Sequence, residues 1–412
     1  MMCVVQNRLL LLSFSVLFVV LDIALSGTPI TIAAAASSTT KLLSSLPQTA
    51  STESSSFEIT DNLKQVIRTL VDNKTNAAMV IGLVDANGTQ FYGYGKTSNA
   101  TNATTVNENT LFDIGSITKT FTTTLLDDMV SRGIVKLDDP IEKYLPPTVI
   151  VPTYNGSEMT LEHLATHTSG LPDYPPNLQV SNITTYPNYT REQMYQSLSK
   201  VILTRPPGSH FQYSDFGMAL LGDILSSKVG MPYEQIVTDR ILNVLGMNTT
   251  RITLSDTTLL SHLALGHFNG IEIPITSVSF VNPPPLAPAG SLHSSARDMV
   301  KYLSANMGLI KTVLDHSMQD THKIRLYTNI TKVVPYNVYV GLGWFTTTNF
   351  GSQIIWHNGE VFGYNSFTGF NPATQRGVVV LCSTMPQDID VANIGFGPHD
   401  ELSNIVWGLL LN

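Results

Sequence analysis

Ser116 and Lys119 stand three residues apart in Phe112-Asp-Ile-Gly-Ser-Ile-Thr-Lys-Thr-Phe121. A Gly-Ser step leads into a run that reads as helical through Val130. Residues three apart on a helix share a face, with Cβ atoms about 5–6 Å apart. A hydroxyl and an amine in this spacing can touch without help from a loop. A helix N-terminus also favours negative charge on or near Ser116. The chemistry to expect is that of an activated serine, a nucleophile beside its base.

Ser-x-x-Lys is a cheap pattern, and the chain holds it three times, at Ser38–Lys41, Ser116–Lys119 and Ser197–Lys200. The first lies in a Ser/Thr-rich tail and the third in a polar stretch before a proline loop. Only Ser116 opens a segment with apolar residues at spacings of four, Ile117, Phe121, Leu125 and Met129. The bland reading makes Ser116 a helix cap and Lys119 a solvated charge. Two further stretches weigh against it. Tyr213-Ser214-Asp215 precedes an apolar helix; Ser214 or Asp215 is a cap in the plain view, and Tyr213 a proton shuttle beside Ser116 in the functional one. Trp356-His357-Asn358-Gly359 reads as a strand end finishing in a turn, or as a strand whose backbone flanks a substrate, with His357 supplying a charge or hydrogen bond.

Taken together, Ser116-Ile-Thr-Lys119, Tyr213-Ser-Asp215 and His357-Asn-Gly359 resemble, in order and rough spacing, the three motifs of penicillin-recognising serine hydrolases. The flanks are similar too: Leu161-Glu-His-Leu-Ala-Thr-His-Thr-Ser-Gly-Leu171, Tyr213-Ser-Asp-Phe-Gly-Met-Ala-Leu-Leu-Gly222 and Pro288-Ala-Gly-Ser-Leu-His-Ser-Ser-Ala-Arg-Asp-Met299. The texture resembles the branch holding class C β-lactamases, D,D-carboxypeptidases and related D-peptidases and esterases. It covers about residues 57–412. The resemblance implies that Ser116 is acylated and that Lys119 and Tyr213 share proton transfer, either one being the base. It implies an oxyanion hole from the backbone N–H groups of Ser116 and Glu360, and substrate contacts from Asp215, His357, Asn358 and Gly359. It implies substrates that are D-amino-acid peptides, or small amides, esters or lactams, and no metal or organic cofactor.

Two positions depart from the pattern. Asp215 stands where the second motif usually ends in Asn; facing the site, it would favour the Lys119 ammonium and raise its pKa, moving weight to Tyr213 as base. His357 stands where many β-lactamases have Lys, as in related D-peptidases and esterases. A rival of another class is a catalytically silent surface binding protein, with Asp215 as the mark of lost activity.

Several elements must position these residues. Leu63, Val66, Ile67 and Leu70 make a helical stripe. Residues 78–84 and 89–95 read as strands joined through Ala86-Asn87-Gly88, a hairpin signal. Thr122-Thr123-Thr124 has poor helix propensity, so the Ser116 helix needs burial. Helices are expected over 218–229, 233–245, 296–307 and 401–411, and strands over 338–346, 353–357, 367–371 and 377–383. Strands at both ends around a helical middle predict an α/β fold: an antiparallel sheet flanked by helices, with an all-α insert over about 115–275, β-lactamase/transpeptidase-like.

Charged residues are only 13% of the 412, and the formal net charge is −8. That argues against nucleic acid as a partner. Arg8, the apolar run 9–21 and Ala33–Ala36 read as a secretory signal over 1–36. A Ser/Thr-rich tether follows over 37–56. A membrane is reached only if that leader stays uncleaved, and the expected place is secreted or cell-surface. Cys3 falls in the leader, leaving Cys382 alone, so a disulfide within the mature chain or a Cys-based zinc site is not expected. Nine Asn-x-Ser/Thr sequons, against about five by chance, lean mildly towards a glycosylated exterior protein. His163 and His167 have a metal-like spacing of four but lack the Glu of a zinc-protease motif, and no Gly-x-Ser-x-Gly elbow exists.

Overall fold

The sheet that carries the third motif has eight strands in antiparallel pairing. Their order across the sheet is Gly88–Tyr94, Met79–Asp85, Arg376–Cys382, Tyr364–Asn371, Ser352–Val361, Phe345–Asn349, Asn337–Val340 and Leu326–Tyr327. All neighbours are consecutive in sequence except one. The N-terminal hairpin inserts Met79–Asp85 beside the last strand, with Ile81 opposite Val380. In this computed structural model, residues 57–73, 77–178, 189–274, 284–330, 337–349, 352–385, 394–395 and 400–412 are described. The expected leader, the tether, the Ser38–Lys41 pair and sequons Asn182 and Asn188 lie outside the described residues. Residues 54–412 form one compact unit.

Period-two alternation gives the sheet two apolar faces. Met79, Ile81 and Leu83 point to the side covered by the Asp61–Asn73 and Glu401–Leu411 helices, joined there by Val380, Trp356 and Phe367. Val80, Val84, Val379 and Leu381 face the helical side. There the Ala296–Asn306 helix lies close: a Cβ on Gly82 would stand 2.9 Å from Val300. Of the expected Leu63/Val66/Ile67/Leu70 stripe the first three are buried, and Leu70 is partly buried against the same core. The expected hairpin also forms, with Asp85 accepting from the N–H groups of Asn87 and Gly88.

The Thr118–Ser131 helix runs through the middle of the helical region, and its residues from Thr118 to Met129 are buried. Burial is what holds its threonines. Thr122 Oγ1 donates to Pro288 O at 2.7 Å, Thr123 Oγ1 to Leu342 O at 2.9 Å and Thr124 Oγ1 to Thr120 O at 2.8 Å. Two tertiary contacts therefore come from residues that cost helix propensity. The Asp215–Val229 helix packs alongside the short Ala287–Gly290 helix so closely that a Cβ on Gly222 would overlap Pro288.

Two strand readings need correction. The expected strand 338–346 is two strands, broken at Gly341-Leu342-Gly343-Trp344. This break docks on the central helix through Leu342 O, which accepts from Thr123 Oγ1, and on the Leu161–Ala165 helix, where Gly343, with φ +67°, donates its N–H to Ala165 O. The expected strand end at His357 is the middle of a ten-residue strand that continues to Val361. Asn358-Gly359 looks like a turn signal, yet it pairs in the ladder, with Gly359 opposite Ser366. The turn comes at Gly363, with φ +87°.

Candidate active site

Ser116 lies in a single 3-10 turn, Gly115–Ile117, that feeds the Thr118–Ser131 helix. A short strand pair, Leu111–Asp113 with His293–Ser295, leads into it. Asp113 Oδ1 then accepts the Gly115 N–H at 2.8 Å. Burial pushes the Asp113 carboxyl up to about 7, with the Gly115 N–H pulling it partly back. Gly115 has φ +50°, and a Cβ there would come within 3.0 Å of Glu360 N. Across the same contact, a Cβ on Gly359 would stand 2.0 Å from Ile114 O. Two glycines therefore let the third-motif strand lie against the turn that holds Ser116.

One turn later Lys119 is fully buried, while Ser116 is partly exposed. Lys119 Nζ is 2.8 Å from Ser116 Oγ, 2.6 Å from Ala289 O and 2.7 Å from Asp215 Oδ1. Ala289 O and the Asp215 carboxylate can only accept, so they take two N–H groups. The third direction on Nζ faces Ser116. It carries a hydrogen when Lys119 is charged and a lone pair when it is neutral. Burial pushes the Lys119 amine down; Asp215, and more weakly Asp173, pull it back up without reversing the direction. Asp215 acts on Lys119 in the expected direction, raising it, but desolvation outweighs that effect.

Tyr213 OH donates to Ser116 Oγ at 2.8 Å. Burial first, then the Asp215 charge, hold its phenol well above the ordinary range. It is a protonated donor at neutral pH. Its ring stacks on His167 at 4.4 Å, and Lys119 Nζ lies 4.8 Å from the ring centroid. His167 Nδ1 accepts the Ser214 N–H, and His167 O accepts the Gln212 N–H, so this histidine brackets Tyr213 on both sides in sequence. Ser214 is the helix cap, its Oγ accepting from Gly217 N–H at 2.9 Å. Asp215 is therefore free of the capping role, and its side chain turns to Lys119.

His357 is 1% exposed. Burial, helped by the nearby Lys119 charge, pushes its imidazole down to about 3. Its Nδ1 lies 2.6 Å from Asn358 O. Of the two expected roles, a charge or a hydrogen bond, this favours the hydrogen bond, since the ring is held neutral over the physiological range. Asn358 is partly exposed and Gly359 buried beside Ile114.

The remaining sequence candidates separate from this cluster. Ser197 is buried, and its Oγ has no partner among the described residues. His163 closes the capping box of Leu161–Ala165 through Nδ1. No group of three or more His, Cys, Asp or Glu suited to a metal ion is found among the described residues. Cys382 is buried at the end of the Arg376–Cys382 strand. Sequence reasoning missed Ala289, His167 and Asp173. The first acts through a backbone carbonyl and leaves no residue-type signal. The other two lie in or beside the 161–171 segment, whose closeness to Tyr213 is tertiary.

A family model described as Beta-lactamase matches residues 63–394. D-alanyl-D-alanine-carboxypeptidase/endopeptidase AmpH of Escherichia coli (strain K12) is 39% identical over 178 residues, 43% of this chain and 46% of its own length. The chain thus spans less than half of that relative. A Beta-lactamase of Providencia stuartii is 30% identical over 277 residues, 66% of this chain and 67% of its own. The Beta-lactamase/D-alanine carboxypeptidase from Yersinia pestis complexed with citrate superimposes with TM-score 0.67 at 24% identity, covering 84% of this chain and 98% of that one. That last likeness shows the fold.

Proposed function

This chain belongs to the beta-lactamase family of serine hydrolases, and we propose that it works through an acyl-enzyme on Ser116, cleaving D-amino-acid peptides or small amides and esters. The observation that carries the reading is the triangle in which Lys119 Nζ and Tyr213 OH each lie 2.8 Å from Ser116 Oγ. Neutral Lys119 takes the Ser116 proton as Oγ attacks the carbonyl carbon. Burial lowers the cost of holding that amine neutral before the step. Tyr213 gives its proton to the departing group, and the proton that Lys119 took from Ser116 is the one that restores the phenol. Water then attacks the acyl carbonyl with the transfers reversed.

The backbone N–H groups of Ser116 and Glu360 are proposed as the oxyanion hole. The abutting Gly115 and Glu360 backbones support this, since fixed donors stabilise charge that develops only in the transition state. Asp215, Asn358 and Gly359 are proposed to border the substrate, and His357 to do so as a neutral group. The D-peptide class rests on the AmpH likeness over part of that protein. Esters and lactams are the alternatives within the same site, and a silent binding protein is the alternative outside it.

We also read the protein as secreted or cell-surface. All seven described sequon asparagines, Asn73, Asn87, Asn99, Asn102, Asn155, Asn248 and Asn329, are exposed. No helix among the described residues is long and apolar enough to cross a membrane. A panel of D-Ala-D-Ala peptides, nitrocefin and p-nitrophenyl esters, with Ser116→Ala as control, tests the function. Turnover of any one that disappears in the variant supports it. No turnover and no fluorophosphonate labelling favours the silent binder.

A further inference from the structure

Resting on that acyl-enzyme reading, we propose that the site accepts neutral or cationic leaving groups and turns away those that carry a carboxylate. Holding a carboxylate takes a cation or several aimed donors. Lys119 cannot serve, because its Nζ is buried and its three directions are occupied by Ser116, Ala289 and Asp215. His357 is a neutral ring under 2% exposed. The other charges acting on Lys119 among the described residues are both carboxylates, Asp215 and Asp173.

The two carboxylates are coupled in place. The Asp215 backbone N–H donates to Asp173 Oδ1 at 3.2 Å, and Phe216 N–H donates to Asp173 O at 2.8 Å. Asp173 is exposed, and Asp215 keeps 16% of its side chain accessible. Both charges bear on the Tyr213 phenol, the proposed proton donor to the leaving group. Among the described residues, the charges that act on Lys119 and Tyr213 are thus two carboxylates, and the one positive charge between them is already paired. A leaving group ending in a free carboxylate adds like charge there, whereas an amide, an ester or an amine-bearing group does not. Within the peptide class this favours internal or amidated bonds over release of a C-terminal amino acid.

The test uses three acetate esters of one frame: 3-acetoxybenzoate, phenyl acetate and 3-(trimethylammonio)phenyl acetate. The acylation rate of each is divided by its rate of hydroxide hydrolysis, which removes the difference in leaving-group reactivity. The carboxylate ester should acylate Ser116 about tenfold or more slowly relative to the neutral ester. That gap should shrink several-fold as salt rises from about 0.02 M to about 0.5 M, because exposed charges are screened. Asp173→Asn should narrow the gap at low salt by speeding the carboxylate ester selectively. Equal or faster acylation by the carboxylate ester overturns the proposal while leaving the catalytic reading intact. So does an Asp173→Asn variant that slows all three esters alike. If no ester acylates Ser116, the acyl-enzyme reading falls and this inference falls with it.

Discussion

Asp215 Oδ1 lies 2.7 Å from Lys119 Nζ, on the first turn of a helix whose cap is supplied by its neighbour Ser214. The residue that departs from the family pattern is thus the ionic partner of the buried lysine. Asp215→Asn should remove the main influence holding the Lys119 ammonium charged. Its pKa should then fall further, more neutral amine should be present at a given pH, and the acid limb of kcat/KM should move to lower pH by about one unit or more. An acid limb that stays in place shows that Asp215 does not tune the base.

Tyr213→Phe removes the donor at 2.8 Å from Ser116 and keeps the ring that stacks on His167. kcat should fall by about 10²–10⁴ with little change in melting temperature. A variant with near-normal kcat would mean that the proton reaches the leaving group by another route.

Gly359→Ala tests the contact between the third-motif strand and the Ser116 turn. The new Cβ would fall 2.0 Å from Ile114 O and 2.4 Å from Ser366 Oγ. Strand and turn must separate, and a displacement near 1 Å costs about a hundredfold in rate. Fluorophosphonate labelling should slow by at least that much, even where circular dichroism shows a folded protein. Unchanged labelling would mean that this approach does not set the site.

Much of this was legible because the chemistry sits in local patterns. The three-residue spacing puts Ser116 and Lys119 on one face whatever surrounds them, and the Leu63/Val66/Ile67 stripe declares its buried side. What escaped depends on burial by distant chain. His357 reads as an ordinary titrating histidine until the sheet and Phe345 enclose it. Ala289 is a carbonyl set in place by the Gly222–Pro288 approach. The Gly341–Trp344 break looks like continuous strand because only the docked central helix requires it. Asn358-Gly359 carries a turn signal because the same missing side chain that suits a turn also suits a close backbone contact.

Desolvated histidines, His293 and His357 buried and His322 partly so, set an acid limit on stability. Desolvation lowers His293 to about 4 and His322 and His357 to about 3, against an ordinary value of 6.5. The unfolded chain then binds more protons than the folded one. Their contribution is complete above pH 6.5 and is lost as pH falls towards 3–4. Asp113, raised to about 7 by burial, has the opposite sign and loses its contribution as pH rises from about 4 to 7. His163 and His167 are lowered in the same way, while Asp127, raised to about 6, and Asp173 and Asp223, also raised, side with Asp113. With five histidines against four carboxyls, the melting temperature should drop only gently as pH falls from 6.5 to 4.5. His322→Phe, in a pocket with Trp344 and Phe370, should flatten that slope. A slope that His322→Phe leaves unchanged contradicts the neutral-histidine assignment. KM for a carboxylate-bearing substrate should likewise show no histidine titration between pH 5 and 8, since His357 remains neutral there.

The central claim is that Ser116, held by Lys119 and Tyr213, becomes acylated. Its most direct test is mass spectrometry of the protein quenched with a fluorophosphonate or a slow ester. After digestion, the added mass should map to Ser116, and it should vanish in Ser116→Ala while Ser38→Ala and Ser197→Ala leave it in place. An adduct on another residue, or one that persists in Ser116→Ala, would contradict the account.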